Sequence, residues 1–265
     1  MPEGHTIHRI AADHSPLLVG MPVRVSSPQG RFEADAARVD GQVLDKIEAY
    51  GKHLFYWWAN GDVGHVHLGL FGKFRVAKGP DAPDPVGLVR MRMHTDAATI
   101  DLAGPTDCTI GTPDDRAKIH ARLGPDPLRR DAKPQVAIDK MAKSKQPLGA
   151  ILLDQKVLCG IGNVYRAEAL FVNGIHPLRT GTGTDPVELM ALWTTMVAML
   201  RKGVKDNRIV TVEARDLDLP AGRRIRRGEA TYVYHRDRCL RCGTAIQTVA
   251  LAGRPCYFCP TCQPH

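Results

Sequence analysis

Two Cys-x-x-Cys pairs near the C-terminus restrict the folds open to this chain more than any other feature. Cys239 and Cys242 form the first pair, and Cys259 and Cys262 form the second after a spacer of sixteen residues. Two such knuckles bring four thiolates together, so the pattern predicts one structural zinc ion in a zinc ribbon. Because a site with four cysteine ligands has no open position, we expect this zinc to support structure rather than chemistry.

Cys256 leaves open another way of forming the second knuckle, because Cys256 and Cys259 are also a Cys-x-x-Cys pair. We prefer Cys259 with Cys262, since Pro260 and Gly243 suit the tight turns of the two knuckles. A disulfide framework is disfavoured, because the chain has seven cysteines, an odd number, and no secretory signal.

The length and charge of the chain favour two domains and a polyanionic partner. A chain of 265 residues is long for one domain, and 36 basic against 28 acidic residues give a net charge of +8. Basic residues cluster at 133–145 and 223–227, although an exposed face explains each cluster equally well. No apolar run approaches about 18 residues, so we expect no membrane contact. The polar first residues are not a signal peptide, which predicts a cytoplasmic, nucleoid-associated location.

The N-terminus offers an unusual nucleophile. Met1 is normally removed when the next residue is small, and its removal exposes the secondary amine of Pro2. Such an amine attacks the aldehyde carbon of a sugar and gives a cationic iminium, which is an electron sink for elimination. Glu3 adds a carboxyl group for proton transfer. On these residues alone, an ordinary N-terminus with a helix-starting proline remains an open alternative.

Hydrophobic periodicity predicts a leading helix and then a region of short strands. The helix covers about 3–19, where apolar residues recur on one face. From about 22 to 103, apolar and polar residues alternate, as at Met91 and Met93, and glycine or proline separates the runs. Several short strands with regular turns indicate an antiparallel sandwich.

The second half of the chain is predicted to be helical. Helical patterns lie at 148–156, 164–172 and 186–204, after a proline-rich stretch at 124–134 that is typical of an interdomain linker. The first two helices are joined by a turn with two glycines, and Asn163 lies where a helix N-cap belongs. Such a hairpin is a common device for holding a DNA backbone, although a plain helical hairpin also fits.

Six segments of the chain resemble the formamidopyrimidine-DNA glycosylase and endonuclease VIII family of base-excision repair enzymes. The segments are Pro2–Gly4, Gly51–Leu54, His67–Gly72, Leu123–Leu128, Leu152–Asn163 and Arg254–Gln263, and they follow in the family's order. The resemblance implies an α+β fold in three parts. These are an N-terminal antiparallel β-sandwich with a leading helix (1–125), a helix-two-turn-helix domain (126–230) and a four-cysteine zinc finger on a β-hairpin (231–265).

The resemblance also implies a catalytic set. Pro2 resembles the nucleophile that displaces the damaged base at C1′ of the sugar and forms a Schiff base. Glu3 resembles the acid/base that protonates and opens the sugar ring. Lys52 matches a lysine that contacts phosphate and assists catalysis, and Arg254 matches an arginine that clamps a phosphate and supports elimination.

Further positions are implied to bind DNA. His67, Arg122 and Asn163 match family positions that hold the DNA. Leu70 and Phe71 match apolar side chains that fill the gap left by a flipped nucleotide. The glycines on either side of these two favour a projecting loop, while a pair of core residues in a strand is the alternative.

The N-terminal segment Pro2–Arg9 is most similar to the actinobacterial subgroup of the endonuclease VIII branch, and the segments Leu148–Gln155 and Arg254–Cys259 resemble the same branch. This branch implies a bifunctional DNA glycosylase/AP lyase that excises oxidised pyrimidines and cleaves the abasic site by β,δ-elimination. It also implies damaged DNA as the partner, and we expect a monomer. An oxidised-purine glycosylase and a catalytically silent damage-binding protein are the alternatives. Thr6, where much of the family has a second glutamate, and Gly69, where some relatives have glutamine, depart from the family pattern.

Overall fold

The structure, a computed structural model, describes residues 2–217, 219–220 and 223–265, and its chain divides into two units. The first unit contains the chain up to Glu3 and Ile7–Arg122, and the second contains Gly4–Thr6 and Leu123–His265. The main division therefore falls directly after Arg122.

The elements follow one another as the periodicity indicated, with strands first and helices later. Up to Arg122 they are α1 (Gly4–Leu18), β1 (Arg24–Ser26), α2 (Glu33–Val39), β2 (Leu44–Tyr50), β3 (His53–Trp58), β4 (Val63–His67), β5 (Lys73–Lys78), β6 (Val89–Thr95), β7 (Ala98–Ala103), β8 (Asp107–Gly111) and α3 (Pro113–Ala121). After it they are α4 (Pro134–Ala142), α5 (Leu148–Ile151), α6 (Asn163–Val172), α7 (Pro186–Asp206), the 3₁₀ turns Ala214–Leu217 and Arg227–Glu229, β9 (Gln247–Leu251) and β10 (Arg254–Phe258).

The described strands of the first unit form two antiparallel sheets of four strands each. Their orders are β1-β6-β7-β5 and β2-β3-β4-β8. Met91 and Met93 from β6 and Leu54 and Tyr56 from β3 are buried in one shared hydrophobic core. Because side chains alternate between the two faces of a strand, each sheet turns one apolar face to this core. The predicted antiparallel sandwich with a leading helix is confirmed.

The helices of the second unit pack around a hydrophobic core of their own. Tyr165 and Leu170 from α6 are buried in it. α7 begins at a capping box, in which the side chains of Asp185 and Glu188 each accept a hydrogen bond from the backbone amide of the other. Among the described residues, no helix has both the length and the apolar character needed to cross a membrane.

Two predictions for the helical hairpin are wrong in detail. α5 ends at Ile151, well short of the predicted end, because the chain turns there. The Gln155 side chain stabilises this turn by accepting a hydrogen bond from the amide of Gly160 at 3.0 Å. Gly162 is the N-cap of α6, and Asn163 is the first helical residue instead.

The stretch at 124–134 packs within the second unit rather than forming an extended linker. The amide of Gly124 donates to the carbonyl oxygen of Gln155 at 2.8 Å, and the amide of Cys159 donates to that of Pro125 at 3.1 Å. Glycine and proline shape tight turns as well as linkers, and here they shape turns.

Candidate active site

The first residues of the chain combine a partly accessible proline with a buried carboxyl group. Pro2 is half-buried, and Glu3 is fully buried. α1 begins directly afterwards at Gly4, whose amide donates to the carbonyl oxygen of Gly160 at 2.8 Å. A β-carbon on residue 4 would lie 3.0 Å from the α-carbon of Gly160, so this close approach requires glycine.

Lys52 lies in the two-residue turn between β2 and β3. Gly51 has a φ of 57°, a left-handed conformation that suits such hairpin turns. The turn pairs Tyr50 with His53 and leaves Lys52 partly exposed. Burial lowers the pKa of both His53 and His67, and the positive charge of Lys52 lowers it further, so the ammonium lies near both rings.

Three histidines share one face of the sheet β2-β3-β4-β8. His65 and His67 lie two residues apart on β4, and His53 on β3 pairs with His67. His53 Nδ1 lies 2.9 Å from His65 Nε2, and His65 Nδ1 lies 3.3 Å from Asp107 Oδ2. His53, His65 and Asp107 were not predicted from the sequence, because this chain of contacts depends on the pairing of three strands. The only local signal was the His-x-His pattern in an alternating strand.

The hydrogen-bond chain fixes the positions of its protons. The Asp107 carboxylate only accepts, so His65 Nδ1 carries a proton. Burial lowers the pKa of His65, and the neutral ring then accepts at Nε2 from the Nδ1–H of His53. Burial lowers the pKa of His53 to about 3, with further contributions from the neighbouring His65 and His67 and from Arg122 and Lys52. His53 is therefore neutral and presents its Nε2 as an acceptor.

Arg122 completes a basic group of side chains in the first unit. It is the exposed C-cap residue of α3, and its charge contributes to lowering the pKa of both His53 and His65. The fold thus brings Lys52, His67 and Arg122, which are separated in sequence, close to His53.

Leu70 and Phe71 project from the turn between β4 and β5. Their side chains are 56% and 83% exposed. Gly69 has a φ of 63°, and a β-carbon there would lie 1.8 Å from the Thr106 hydroxyl oxygen, so the turn is tightly closed. The alternative of a buried core pair is therefore excluded.

A buried arginine joins the start of α6 to the β9–β10 hairpin. The fully buried side chain of Arg166 donates to the carbonyl oxygens of Gly149 at 2.9 Å, Leu251 at 3.1 Å and Pro255 at 3.1 Å. It also donates to the side-chain oxygen of Asn163, whose Nδ2 donates to Pro255 O at 3.1 Å. The role of Arg166 was not predicted from the sequence, because a charged residue in a helix usually indicates an exposed position.

Arg254 begins β10 directly after a two-residue turn, and its side chain is exposed. The turn residues Ala252 and Gly253 have φ angles of 51° and 71°, as a tight hairpin requires. The carbonyl oxygen of Arg254 lies 3.5 Å from a terminal nitrogen of Arg166. The guanidinium of Arg166 therefore holds both the backbone at Arg254 and the side chain of Asn163.

The four cysteines selected by spacing converge on one point. The sulfur atoms of Cys239, Cys242, Cys259 and Cys262 lie within 4.8 Å of one another. Zn–S bonds of about 2.3 Å imply sulfurs about 3.8 Å apart, and three pairs here are 3.5, 3.5 and 3.9 Å apart. Cys256 is instead buried in the hydrophobic core of the second unit, where burial raises the pKa of its thiol. The cluster suits a structural metal ion.

Glu168 holds the segment that leads into this cluster. Its buried carboxylate accepts hydrogen bonds from the amides of Tyr232 at 2.7 Å and of Val233 and Tyr234 at 2.9 Å. The hydroxyl of Thr211 donates to it as well. Burial raises the pKa of Glu168, and the four hydrogen bonds oppose that rise. The residue fixes the backbone of this segment.

Comparison with known proteins identifies all three parts of the chain. The N-terminal domain of formamidopyrimidine-DNA glycosylase matches residues 1–106, its H2TH domain matches 123–214, and the zinc finger found in FPG and IleRS matches 236–264. Endonuclease 8 1 of Mycobacterium bovis is 45% identical over 269 residues, which cover 99% of this chain and 100% of the relative. The chain belongs to the formamidopyrimidine-DNA glycosylase and endonuclease VIII family.

Other members of this family are similar over the same length. The DNA-(apurinic or apyrimidinic site) lyase Nei2 of Mycolicibacterium smegmatis is 35% identical, and 99% of each chain is covered. The structure of Lactococcus lactis Fpg with DNA containing an abasic site has a TM-score of 0.80 and 22% identity, and covers 99% of this chain and 100% of that one. The resemblance inferred from the six segments is confirmed at the level of family and fold.

Proposed function

We propose that the protein is a base-excision repair enzyme that removes oxidised pyrimidines from DNA and then cleaves the resulting abasic site. The observation that carries this is the Pro2–Glu3 pair at the head of a chain that matches an endonuclease 8 over its full length at 45% identity. Removal of oxidised purines is the second candidate, and the formamidopyrimidine-DNA glycosylase of Gloeobacter violaceus is 30% identical.

Pro2 carries the covalent step. Met1, which lies outside the described residues, is removed first. The secondary amine then attacks C1′ while the bond from C1′ to the base breaks, and the departing base takes up the proton that the amine loses. Glu3 protonates the ring oxygen of the sugar, which opens the ring and leaves an iminium between the Pro2 nitrogen and C1′. Loss of a proton from C2′ expels the 3′ phosphate, and a second elimination expels the 5′ phosphate. Water finally hydrolyses the iminium and frees the amine.

Positively charged side chains of each unit bind phosphates of the DNA. Lys52 and Arg122 supply positive charge in the first unit, where the neutral His67 can donate a hydrogen bond, and the exposed Arg254 supplies a guanidinium in the second. Asn163 is buried and uses one of its two amide hydrogens internally, so a phosphate oxygen would bind through the second hydrogen. Because these contacts displace counterions, DNA affinity should fall steeply with salt.

Leu70 and Phe71 support the flipping of the damaged nucleotide. A base inside a duplex cannot present C1′ to an amine, so the nucleotide leaves the stack at a cost of a few kcal/mol. Two exposed apolar side chains on a closed turn can enter the vacated space and offset part of that cost.

Zinc is the metal that we assign to the four cysteines. Four thiolates that converge at tetrahedral spacing are the ligand set that structural zinc prefers. Cys259 directly follows β10, so the bound metal would hold the end of the hairpin that begins at Arg254. A site filled by four protein ligands leaves the chemistry to Pro2 and Glu3.

A panel of lesions in synthetic duplexes tests this function. We expect excision of thymine glycol, an oxidised pyrimidine, to be at least about tenfold faster than excision of 8-oxoguanine. This ratio corresponds to a difference of about 1.4 kcal/mol in activation free energy. The reverse order would favour the purine-excising candidate. Binding to every lesion without excision of any would instead show a damage-binding protein.

Glu3→Gln should lose excision but retain more of its cleavage at a preformed abasic site, because only proton transfer is removed.

A further inference from the structure

An exposed aromatic cluster precedes and flanks the cysteine site. The ring centroids lie 4.6 Å apart for Tyr234 and His235, 4.9 Å apart for His235 and Tyr257, and 5.1 Å apart for the two tyrosines. The Tyr257 hydroxyl also lies 3.3 Å from a ring nitrogen of His235. His235 is exposed and both tyrosines are half-buried, so all three rings are at least partly accessible on the second unit.

The backbone at His235 favours glycine rather than a ring. Its φ is 54°, in the left-handed region that glycine occupies freely and that other residues adopt far less often, although histidine is among the more tolerant of them. Strain of this kind concentrates at binding and catalytic positions. The imidazole is therefore presented to solvent against the preference of the backbone, and packing in a core does not account for it.

Two arginines stand beside this aromatic cluster. His235, Arg236 and Arg238 line an open groove of about 470 Å³, together with Gly228 and Asp237. Arg236 is anchored through the carbonyl oxygen of Gly228 at 2.7 Å, and Arg238 is an exposed residue. Rings with adjacent guanidinium groups match the alternation of bases and phosphates along a single nucleic-acid strand.

We propose that Tyr234, His235 and Tyr257 form a stacking platform for an unpaired base of a single DNA strand, with Arg236 and Arg238 at its phosphates. The proposal rests on the proposed function, because it takes DNA as the ligand. It adds a contact with single-stranded DNA that is independent of base identity, since every base offers a π face. An acidic peptide would use the arginines but gain nothing from three clustered rings.

His235→Gly is the decisive variant, because it removes the ring and relieves the backbone strain at the same time. Asn207→Gly is the matched control, since Asn207 also has a positive φ, 50°, but carries no ring. His235→Phe keeps a ring on the same backbone. The zinc-loaded full-length proteins are titrated with an undamaged single-stranded oligonucleotide that contains 2-aminopurine, whose fluorescence reports stacking. Thermal unfolding and excision from a damaged duplex are measured in parallel.

His235→Gly should weaken single-strand binding about 5- to 100-fold and abolish the fluorescence quenching. Asn207→Gly and His235→Phe should bind and quench like the wild type. An unchanged Kd for a folded His235→Gly, or equal competition by a polyglutamate peptide, would overturn the platform. If His235→Gly excises normally from duplex DNA and its Kd for the single strand is unchanged, only the proposed stacking platform is contradicted. If the wild-type protein excises no lesion, the proposed function itself is contradicted.

Discussion

The side-chain amide of Asn163 donates a hydrogen bond to the carbonyl oxygen of Pro255 at 3.1 Å, and so joins the first residue of α6 to the second residue of β10. The same carbonyl oxygen also accepts from Arg166 at 3.1 Å. The segment that carries Arg254 is therefore positioned by α6 as well as by the cysteine cluster. Changes inside α6 should therefore alter the position of Arg254 without any contact with its side chain.

Arg166→Met tests this link. The substitution leaves several buried carbonyl oxygens without a donor, and each such loss costs about 1–3 kcal/mol. We expect the free energy of unfolding in urea to fall by about 3 kcal/mol and DNA affinity to fall with it. The control is Arg201→Met, at an exposed position on α7, which should change the free energy of unfolding by less than about 0.5 kcal/mol. Similar losses in both variants would contradict the role of Arg166.

Two cysteine variants separate the metal site from the core. Cys262→Ser removes a ligand of the cluster, so we expect loss of bound zinc and weaker DNA binding. Cys256→Ala should keep one zinc per chain, because Cys256 is packed among apolar residues. Metal content measured by mass spectrometry decides between them, and zinc loss from Cys256→Ala would show that the ligand set is wrong.

Stability should fall in mild acid through His14. Burial lowers the pKa of His14 to about 4, against an ordinary value of 6.5, and its Nδ1 lies 3.0 Å from the Tyr56 hydroxyl. Between pH 6.5 and 4 the unfolded chain binds a proton that the folded chain does not. His14 therefore contributes a loss of up to about 1.4 kcal/mol per pH unit as the pH falls through this window.

The His14→Gln variant should show a shallower dependence of the urea midpoint on pH across that range. Tyr56→Phe is the control, because it removes the hydrogen bond but leaves the imidazole buried. It should be less stable at every pH with the slope retained. An unchanged slope in His14→Gln would assign the acid sensitivity to other groups.

Leu70→Ala and Phe71→Ala should impair excision mainly in duplex DNA. They remove side chains that offset unstacking, and a single strand has already lost that stacking. We expect about a tenfold slower excision from duplex and a change within about twofold for the same lesion in a single strand. Val187→Ala is the matched control, because Val187 is 77% exposed and lies at the start of α7 in the second unit. Equal losses in both substrates would exclude a wedge role.

Sequence reasoning was most successful where one local pattern determines the structure. The spacing of Cys239 and Cys242 from the second pair selected the four sulfurs that converge, and the alternation around Met91 predicted a sandwich strand. It failed where the outcome depends on distant pairing. The contact between His53 and His65 needs the register of β3 and β4, and the burial of Arg166 needs the hairpin that supplies its acceptors.

The stretch at 124–134 shows a different reason for failure. Its prolines and glycine fit a linker and a series of packed turns equally well, and only the hydrogen bond from the amide of Gly124 to Gln155 distinguishes the two. Boundaries of short helices such as α5 are also set by side-chain contacts with turns that follow later in the chain.

The central claim is that the amine of Pro2 forms the covalent intermediate, and borohydride trapping tests it most directly. The enzyme is mixed with DNA that contains an abasic site, the iminium is reduced, and the adduct is located by peptide mass spectrometry. The account predicts that Met1 is absent and that the sugar fragment lies on the nitrogen of Pro2, in the tryptic peptide Pro2–Arg9. Full activity with Met1 retained, or an adduct on Lys52 instead, would contradict it.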